Sequence, residues 1–219
     1  MVRAALLFLS ILLTSSTQAQ MGMTQQMSIA EIGAGFLMNP DVQKEIGLSA
    51  ATSKKISDKY AALIQGFRDS RANSSNKNIG VREAMEKTAK VQKEALGLLT
   101  PAQKTRLRQL ALQRMGANAL MHPEVKKDLS LSDEQVRRIS MIIKDGSAQM
   151  YRSAQNITPT RDPAEMMKIA KQQKEWQAKI TQESLKGLKP AQLAKWKSMQ
   201  GKPFAFKVIP IRRSRPGKG

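Results

Sequence analysis

The stretch LMHPEVKKDLSLSDEQVRRI, residues 120–139, contains the signals that end one helix and begin the next. His122 precedes a proline, the pattern of an N-cap followed by proline at the first helical position. Ser132 and Gln135 have the spacing of a capping box, in which each side chain bonds a backbone amide of the helix start. Apolar residues then recur at helical spacing. The stretch therefore predicts a short helix, a tight turn and a long amphipathic helix.

A closely similar stretch occurs 83 residues earlier, as LMNPDVQKEIGLSAATSKKI at residues 37–56. A second pair of matching stretches, LTPAQ at 99–103 and LKPAQ at 188–192, has an offset of 89 residues. Two ordered blocks in the same sequence order predict a tandem duplication. Repeat 1 spans residues 28–116 and repeat 2 spans residues 117–201.

Each repeat has the pattern of two long helices joined by a polar break, at residues 72–78 in repeat 1 and 156–161 in repeat 2. No stretch before the C-terminal tail alternates apolar and polar residues over the length of a strand. A single hairpin leaves its apolar face in water, and the other repeat can cover that face within the same chain. We therefore predict an all-α fold, with two tandem antiparallel helical-hairpin units packed as a pseudo-twofold bundle.

The two ends of the chain differ from the repeats. Residues 1–19 have the basic start, short apolar run and small-residue end of a secretory signal peptide, the alternative being an anchor that stays uncleaved. After cleavage the protein would be periplasmic or secreted, and its lack of Cys favours a bacterial envelope. Residues 20–27 are predicted to form a flexible stub. Residues 202–219 are predicted to form a basic tail, with an extended segment at 204–208 that docks on the helices before the chain becomes disordered.

The composition limits the possible functions. The chain has 219 residues, with 37 Lys or Arg, 17 Asp or Glu and a single His, so its formal net charge is +20. The absence of Cys excludes disulfides, thiolate catalysis and Cys-type zinc sites. The sequence contains no Gly-rich phosphate loop, nucleophile elbow or HExxH segment. We predict that the protein is not an enzyme and that it has no catalytic residues and no cofactor.

Metal binding is one of two explanations for His122 and the many methionines. Thioether ligands suit Cu(I). Three methionines, however, lie in the predicted flexible stub, and His122 is explained by its N-cap position. Six others fall where helix cores need adaptable packing: Met38, Met121, Met141, Met150, Met166 and Met199. The sequence therefore favours packing and capping over a metal site.

The most specific motif is Leu-Ser/Thr-x-x-Gln at helix starts. A degenerate copy lies at residues 188–192 and a half copy at residues 48–52. Any well-capped amphipathic helix can carry these residue types, so a purely structural role stays open. The two full copies comprise Leu99, Thr100 and Gln103, and Leu131, Ser132 and Gln135.

Together with residues 128–139, these motifs resemble the LTXXQ-motif family of bacterial envelope proteins, which includes spheroplast-protein-Y-type chaperones and zinc-resistance-associated proteins. The resemblance is good over residues 120–200 and looser over residues 37–116. It implies a periplasmic, all-helical, ATP-independent chaperone or stress-sensing accessory protein, often a cradle-shaped antiparallel dimer. Family chaperones are usually single-unit chains, whereas this chain is duplicated. Its two repeats are therefore expected to pack as two protomers do in a family dimer.

These observations predict an exported, non-enzymatic binding protein, chaperone-like or an envelope-stress accessory. It would bind unfolded or acidic client proteins through basic helix faces and Met, Ile and Leu contacts. The alternative is an envelope scaffolding protein that binds polyanions (anionic lipid, polysaccharide or nucleic acid) by charge. Sequence-specific nucleic-acid binding is not expected, because the helices lack aromatic residues interleaved with the bases. We expect a monomer, with a homodimer as the other possibility. The predicted polyanion-binding residues are Arg212, Arg213, Arg215 and Lys218.

Overall fold

The computed structural model describes residues 27–73, 81–155 and 162–206. Within these ranges all regular structure is helical and no strand occurs, which confirms the all-α prediction. The predicted signal peptide, nearly all of the stub and the four predicted polyanion-binding residues of the tail lie outside the described residues. In the part of the chain that the structure describes, no helix combines the length and the apolar character that crossing a bilayer requires.

The chain divides into two compact units, with the division between Leu112 and Gln113. Among the described residues, unit 1 contains six helical segments, the last of which runs across the division. The α-helices are connected in the order short, short, long, long and intermediate, with a 3₁₀ segment after the first. They are α1 (Ile29–Ala34), a 3₁₀ helix (Gly35–Met38), α2 (Pro40–Glu45), α3 (Ala50–Asn73), α4 (Val81–Gly97) and α5 (Pro101–Met115).

Unit 2 repeats this order from the 3₁₀ segment onward. Helix α2 and its counterpart begin 83 residues apart, and the last helices of the two units begin 89 residues apart, the two offsets found in the sequence. The helices of unit 2 are a 3₁₀ helix (Gly116–Met121), α6 (Pro123–Leu129), α7 (Asp133–Gln155), α8 (Pro163–Leu185) and α9 (Pro190–Gln200).

The short helices begin and end where local chemistry predicts. Asn39 Oδ1 accepts the Asp41 amide at 2.9 Å and so caps α2, and His122 Nδ1 accepts the Glu124 amide at 3.3 Å and so caps α6. Helix α2 is followed by Gly47 at φ +65°, a left-handed conformation that costs glycine little.

The core of unit 1 joins α1 and the 3₁₀ segment to α3, α4 and α5. Tyr60 of α3 is buried, and its hydroxyl donates to the Ala34 carbonyl at 2.8 Å. Burial raises the pKa of the Tyr60 phenol well above its usual range. A Cβ at Gly33 would lie 3.1 Å from Leu107 Cγ, so α1 and α5 pack closely at this point. Other fully buried side chains of this core are Leu37, Val42, Ile56 and Leu110.

The core of unit 2 is built around Trp196 of α9. Helices α7 and α8 form the antiparallel hairpin, and they approach so closely that a Cβ at Gly146 would lie 2.5 Å from Ile180 Cγ1. A larger residue at position 146 would therefore force the Ile180 side chain, or α8 with it, to shift. Trp196 is buried together with Leu120, Val125, Leu129, Ile139 and Ser184.

Candidate functional site

The predicted helix-start motifs form the capping boxes expected of them. At the start of α7, Gln135 Oε1 accepts the Ser132 amide at 3.1 Å, and Ser132 Oγ accepts the Gln135 amide at 3.2 Å. At the start of α5, Gln103 Oε1 accepts the Thr100 amide at 3.0 Å, and Thr100 Oγ1 accepts the Gln103 amide at 3.3 Å. Each motif thereby satisfies two backbone amides that a helix start otherwise leaves unpaired.

In unit 2 two of these glutamines meet. Gln135 Nε2 donates to Gln192 Oε1 at 2.8 Å, and Gln192 Nε2 donates back to Gln135 Oε1 at 3.1 Å. Gln135 also donates to the Gly187 carbonyl at 2.9 Å, beyond the end of α8. Gln192 donates to the Leu129 carbonyl at 3.1 Å, at the end of α6. The reciprocal amide pair, which we call the glutamine clamp, therefore ties two helix starts to two helix ends.

Unit 1 contains only half of this arrangement. Gln103 Nε2 donates to the Gly47 carbonyl at 3.0 Å, as Gln192 does to the end of α6 in unit 2. The position that corresponds to Gln135 is Thr52, whose short side chain accepts a bond from Ser49 Oγ at 3.0 Å. Thr52 cannot span the distance that the longer glutamine amide bridges in unit 2.

The geometry of the motif favours a structural role. Both amide nitrogens of the glutamine clamp are fully used as donors, and both amide oxygens accept two bonds each. Leu99 is buried and Leu131 is half-buried, so the leucines anchor the helix starts by packing. Of the clamp, the sequence identifies Gln192 as part of a degenerate motif copy, but it does not predict the contact with Gln135.

Of the side chains that the structure describes on the hairpin of unit 2, three large apolar ones are exposed. The exposed fraction is 61% for Met141 and 67% for Tyr151, both on α7, and 48% for Met167 on α8. At the offset of 83 residues, the positions of Met141 and Tyr151 hold Asp58 and Arg68 in repeat 1. Unit 2 therefore presents apolar groups to solvent where unit 1 presents charges.

Basic residues dominate the end of the chain. No acidic residue follows Glu183 in the sequence, whereas ten Lys or Arg do. Within the described residues, Lys189, Lys195, Lys197 and Lys202 of this region are all exposed. On α5, by contrast, a basic side chain is paired with an acid. The Arg106 guanidinium bonds Glu45 through Nε at 2.9 Å and Nη2 at 2.6 Å.

The Gln113 side chain bonds the segment after α9 at three backbone positions. Gln113 Nε2 donates to the Gln200 and Lys202 carbonyls at 2.7 and 2.8 Å, and Gln113 Oε1 accepts the Phe204 amide at 2.9 Å. The rings of Phe204 and Phe206 meet edge to face with centroids 4.8 Å apart. The Arg114 guanidinium lies 5.6 Å from the Phe206 centroid, and its partial desolvation lowers the Arg114 pKa. We call residues 201–206 the strap.

Charged side chains elsewhere form pairs at the surface. Lys59 Nζ donates to Glu94 Oε2 at 2.5 Å between α3 and α4. This hydrogen bond, and then the charge of Lys59, lower the pKa of the Glu94 carboxyl. Among the described residues, no group of three or more His, Asp or Glu side chains is placed to hold a metal ion. His122 is buried, with Nδ1 directed at the amide that it caps.

Comparison with known proteins gives no relative from which a function could be taken. No protein-family model, no curated protein and no solved structure matches the chain.

Proposed function

We propose that the protein is an exported, non-enzymatic binding protein that holds unfolded or acidic client proteins without using ATP. The observation that carries the proposal is the exposure of Met141, Tyr151 and Met167 on the hairpin of unit 2. Exposed methionine is adaptable, because its unbranched thioether chain fits many apolar partners. Large apolar groups in water cost free energy that a client would recover by covering them.

The charge of the chain supports the same role. Arg137, Arg138, Lys144 and Arg152 are exposed on α7, around Met141 and Tyr151. The same helix also exposes Asp133, Glu134 and Asp145, so the long-range attraction for acidic chains comes from the net charge of +20 of the full chain. The apolar groups then supply short-range contact. The resemblance to the LTXXQ-motif family also supports the proposal. The motif itself has a structural part in this proposal. Its glutamine amides bond backbone groups within each unit and so hold the helix starts in place.

An aggregation assay tests the proposal. The protein should suppress the light scattering of a heat-unfolded enzyme at equimolar or tenfold excess, in low and moderate salt. The double variant Met141→Gln with Tyr151→Gln keeps the net charge and should lose most of the suppression. A matched control, Gln149→Ala with Gln172→Ala, changes two exposed polar residues of the same helices and should act like the unchanged protein. Absence of suppression by the unchanged protein contradicts the proposal.

The localisation and assembly belong to the same proposal. A client-holding protein that resembles envelope chaperones would act in the periplasm or outside the cell after removal of residues 1–19. We further propose that the two units pack about a pseudo-twofold axis, so that a monomer replaces a family-type dimer. Fractionation of cells that carry the full chain, with N-terminal sequencing of the product, tests the first point.

A second function, polyanion binding by charge, is favoured by the acid-free end of the chain. Ten basic residues and no acid follow Glu183. Such a segment attracts polyanions whatever their sequence, and its binding should weaken steeply with salt. Heparin-column elution against salt, compared with client binding under the same conditions, separates this role from the chaperone-like one.

A further inference from the structure

The exposed face of α9 is flat and basic. Ala191, Ala194 and Ser198 are exposed small residues that lie along the middle of this face. Lys195 and Lys197, both exposed, flank it on opposite sides, because residues two apart on a helix are separated by about 200°. The lysine side chains are long and flexible. Both ammonium groups can therefore contact one flat surface that lies against the small residues of α9.

These lysines are not neutralised by ion pairs within the described part of the chain. Within residues 27–73, 81–155 and 162–206, no carboxylate forms an ion pair with Lys189, Lys195, Lys197 or Lys202. By contrast, the corresponding helix of unit 1 has Arg106 bound to Glu45 at 2.6 Å. The charge of α9 is thus available to an external partner, whereas part of the charge of α5 is neutralised internally.

The strap extends this surface beyond the end of the helix. Gln113 holds the backbone of Lys202 and Phe204 through bonds of 2.8 and 2.9 Å, so the segment has a fixed position within unit 2. Phe204 and Phe206 are half-buried and Lys202 is exposed. Lys202 therefore continues the set of exposed lysines on α9. The remaining basic residues of the sequence follow directly after the strap.

The chemistry of this surface favours a bilayer over sequence-specific recognition of a nucleic acid. Nucleic-acid bases are read by bidentate arginine and stacked on free aromatic faces, whereas lysine and arginine both serve for phosphate contacts. Here the exposed cations of α9 and the strap are lysines, and Phe206 is engaged with Phe204 and with Arg114. Lysine acts as a point charge that needs no defined geometry, which suits the diffuse negative charge of a lipid surface.

We propose that the exposed face of α9 and the strap dock unit 2 on an anionic phospholipid bilayer. The helix lies along the headgroups, with its lysines directed at lipid phosphates and its small residues permitting close approach. This docking specifies the ligand of the second proposed function, polyanion binding, and rests on it. It is independent of client binding, which we assign to the hairpin of the same unit.

Vesicle binding of the full chain tests the proposal. Vesicles of equal parts phosphatidylglycerol and phosphatidylcholine should bind the protein, and vesicles of phosphatidylcholine alone should not. The double variant Lys195→Gln with Lys197→Gln should bind the anionic vesicles about 25-fold more weakly, because each lysine near an anionic membrane contributes about fivefold. The same variant should suppress aggregation as the unchanged protein does, which separates this test from that of the client-binding role.

A matched control distinguishes binding through the α9 surface from general attraction by the net charge of the protein. Lys168→Gln with Lys174→Gln removes two exposed lysines from α8 of the same unit and should weaken vesicle binding by less than about threefold, since only the long-range field changes. Equal losses in the two double variants would overturn the proposal. It would also be overturned if the α9 variant lost affinity for mixed-sequence duplex DNA while its vesicle binding was unchanged.

Discussion

Two different residue types serve as the N-caps of α2 and α6. Asn39 accepts through Oδ1 and His122 through Nδ1, each from the amide two residues later. We expect His122→Ala to lower the free energy of unfolding by about 1 kcal/mol, since the amide of Glu124 loses its acceptor. His122→Asn, which copies the residue of repeat 1, should retain most of the stability. Urea unfolding of the full chain, followed by circular dichroism, measures both changes. An alanine variant as stable as the unchanged protein would show that the cap contributes nothing.

A second residue-scale effect concerns a buried hydroxyl. Ser184 is fully buried, and its Oγ has no hydrogen-bond partner among the residues that the structure describes. At the offset of 89 residues, repeat 1 has Ala95, which is also fully buried. We therefore expect Ser184→Ala to raise the free energy of unfolding by up to about 1 kcal/mol, because an unpaired polar group leaves the core. Ser184→Val should instead lower it, since the site accepts only a small side chain. A stability loss in the alanine variant would argue against an unpaired hydroxyl. Thermal unfolding of the three proteins makes the comparison.

At the scale of the helices, the glutamines at helix starts bond one helix start to the end of another helix. Unit 2 has the reciprocal pair of Gln135 and Gln192, and unit 1 has Gln103 opposite Thr52. We expect Gln135→Thr to lower the free energy of unfolding by about 1–2 kcal/mol, because the Gly187 carbonyl and the Gln192 amide lose partners. Thr52→Gln should raise it by up to about 1 kcal/mol by completing the pair in unit 1.

The exposed control for these variants is Gln172→Thr on α8, which removes a glutamine outside any helix start. It should change stability by less than about 0.5 kcal/mol. Denaturant unfolding of each variant gives the values. The structural account of the motif is wrong if Gln135→Thr and Gln172→Thr have the same small effect.

The same elements show what the sequence could and could not predict. Helix starts followed from local chemistry, because a capping box involves residues only three apart, as at Ser132 and Gln135. The glutamine clamp joins residues 57 apart, so only the fold brings it together. The close approach of Gly146 to Ile180 was equally inaccessible, since nothing in a local pattern distinguishes a glycine that admits a neighbouring helix. The exposure of Met141 also departs from the core role expected for methionine.

At the scale of the whole molecule, the boundaries of the units differ slightly from those of the sequence repeats. The sequence places repeat 2 at 117–201, whereas the compact unit begins at Gln113. The difference comes from a tertiary contact within unit 2. The Gln113 side chain forms three hydrogen bonds to the backbone of Gln200, Lys202 and Phe204. A fragment cut at residue 117 loses this anchor, so the fragment 113–206 is the fairer test of whether unit 2 is independent.

The pseudo-twofold packing of the two repeats is a prediction that such fragments can test. Ile142, Ile143, Trp176 and Ile180 on the hairpin are only half-buried. If repeat 1 covers these side chains as predicted, their exposure in an isolated unit 2 would cost roughly 25 cal/mol per Å² of apolar area.

We therefore expect neither 113–206 nor 117–201 to melt cooperatively as a monomer. Analytical ultracentrifugation with thermal unfolding makes the measurement, and the full chain, expected to be a monomer, is the control. A stable, cooperatively melting monomer of either fragment would contradict the packing argument. A stable homodimer would support it, because a second copy of repeat 2 would then take the place that repeat 1 occupies in the full chain. That pairing would cost the entropy of association, which the tandem chain avoids by carrying both copies.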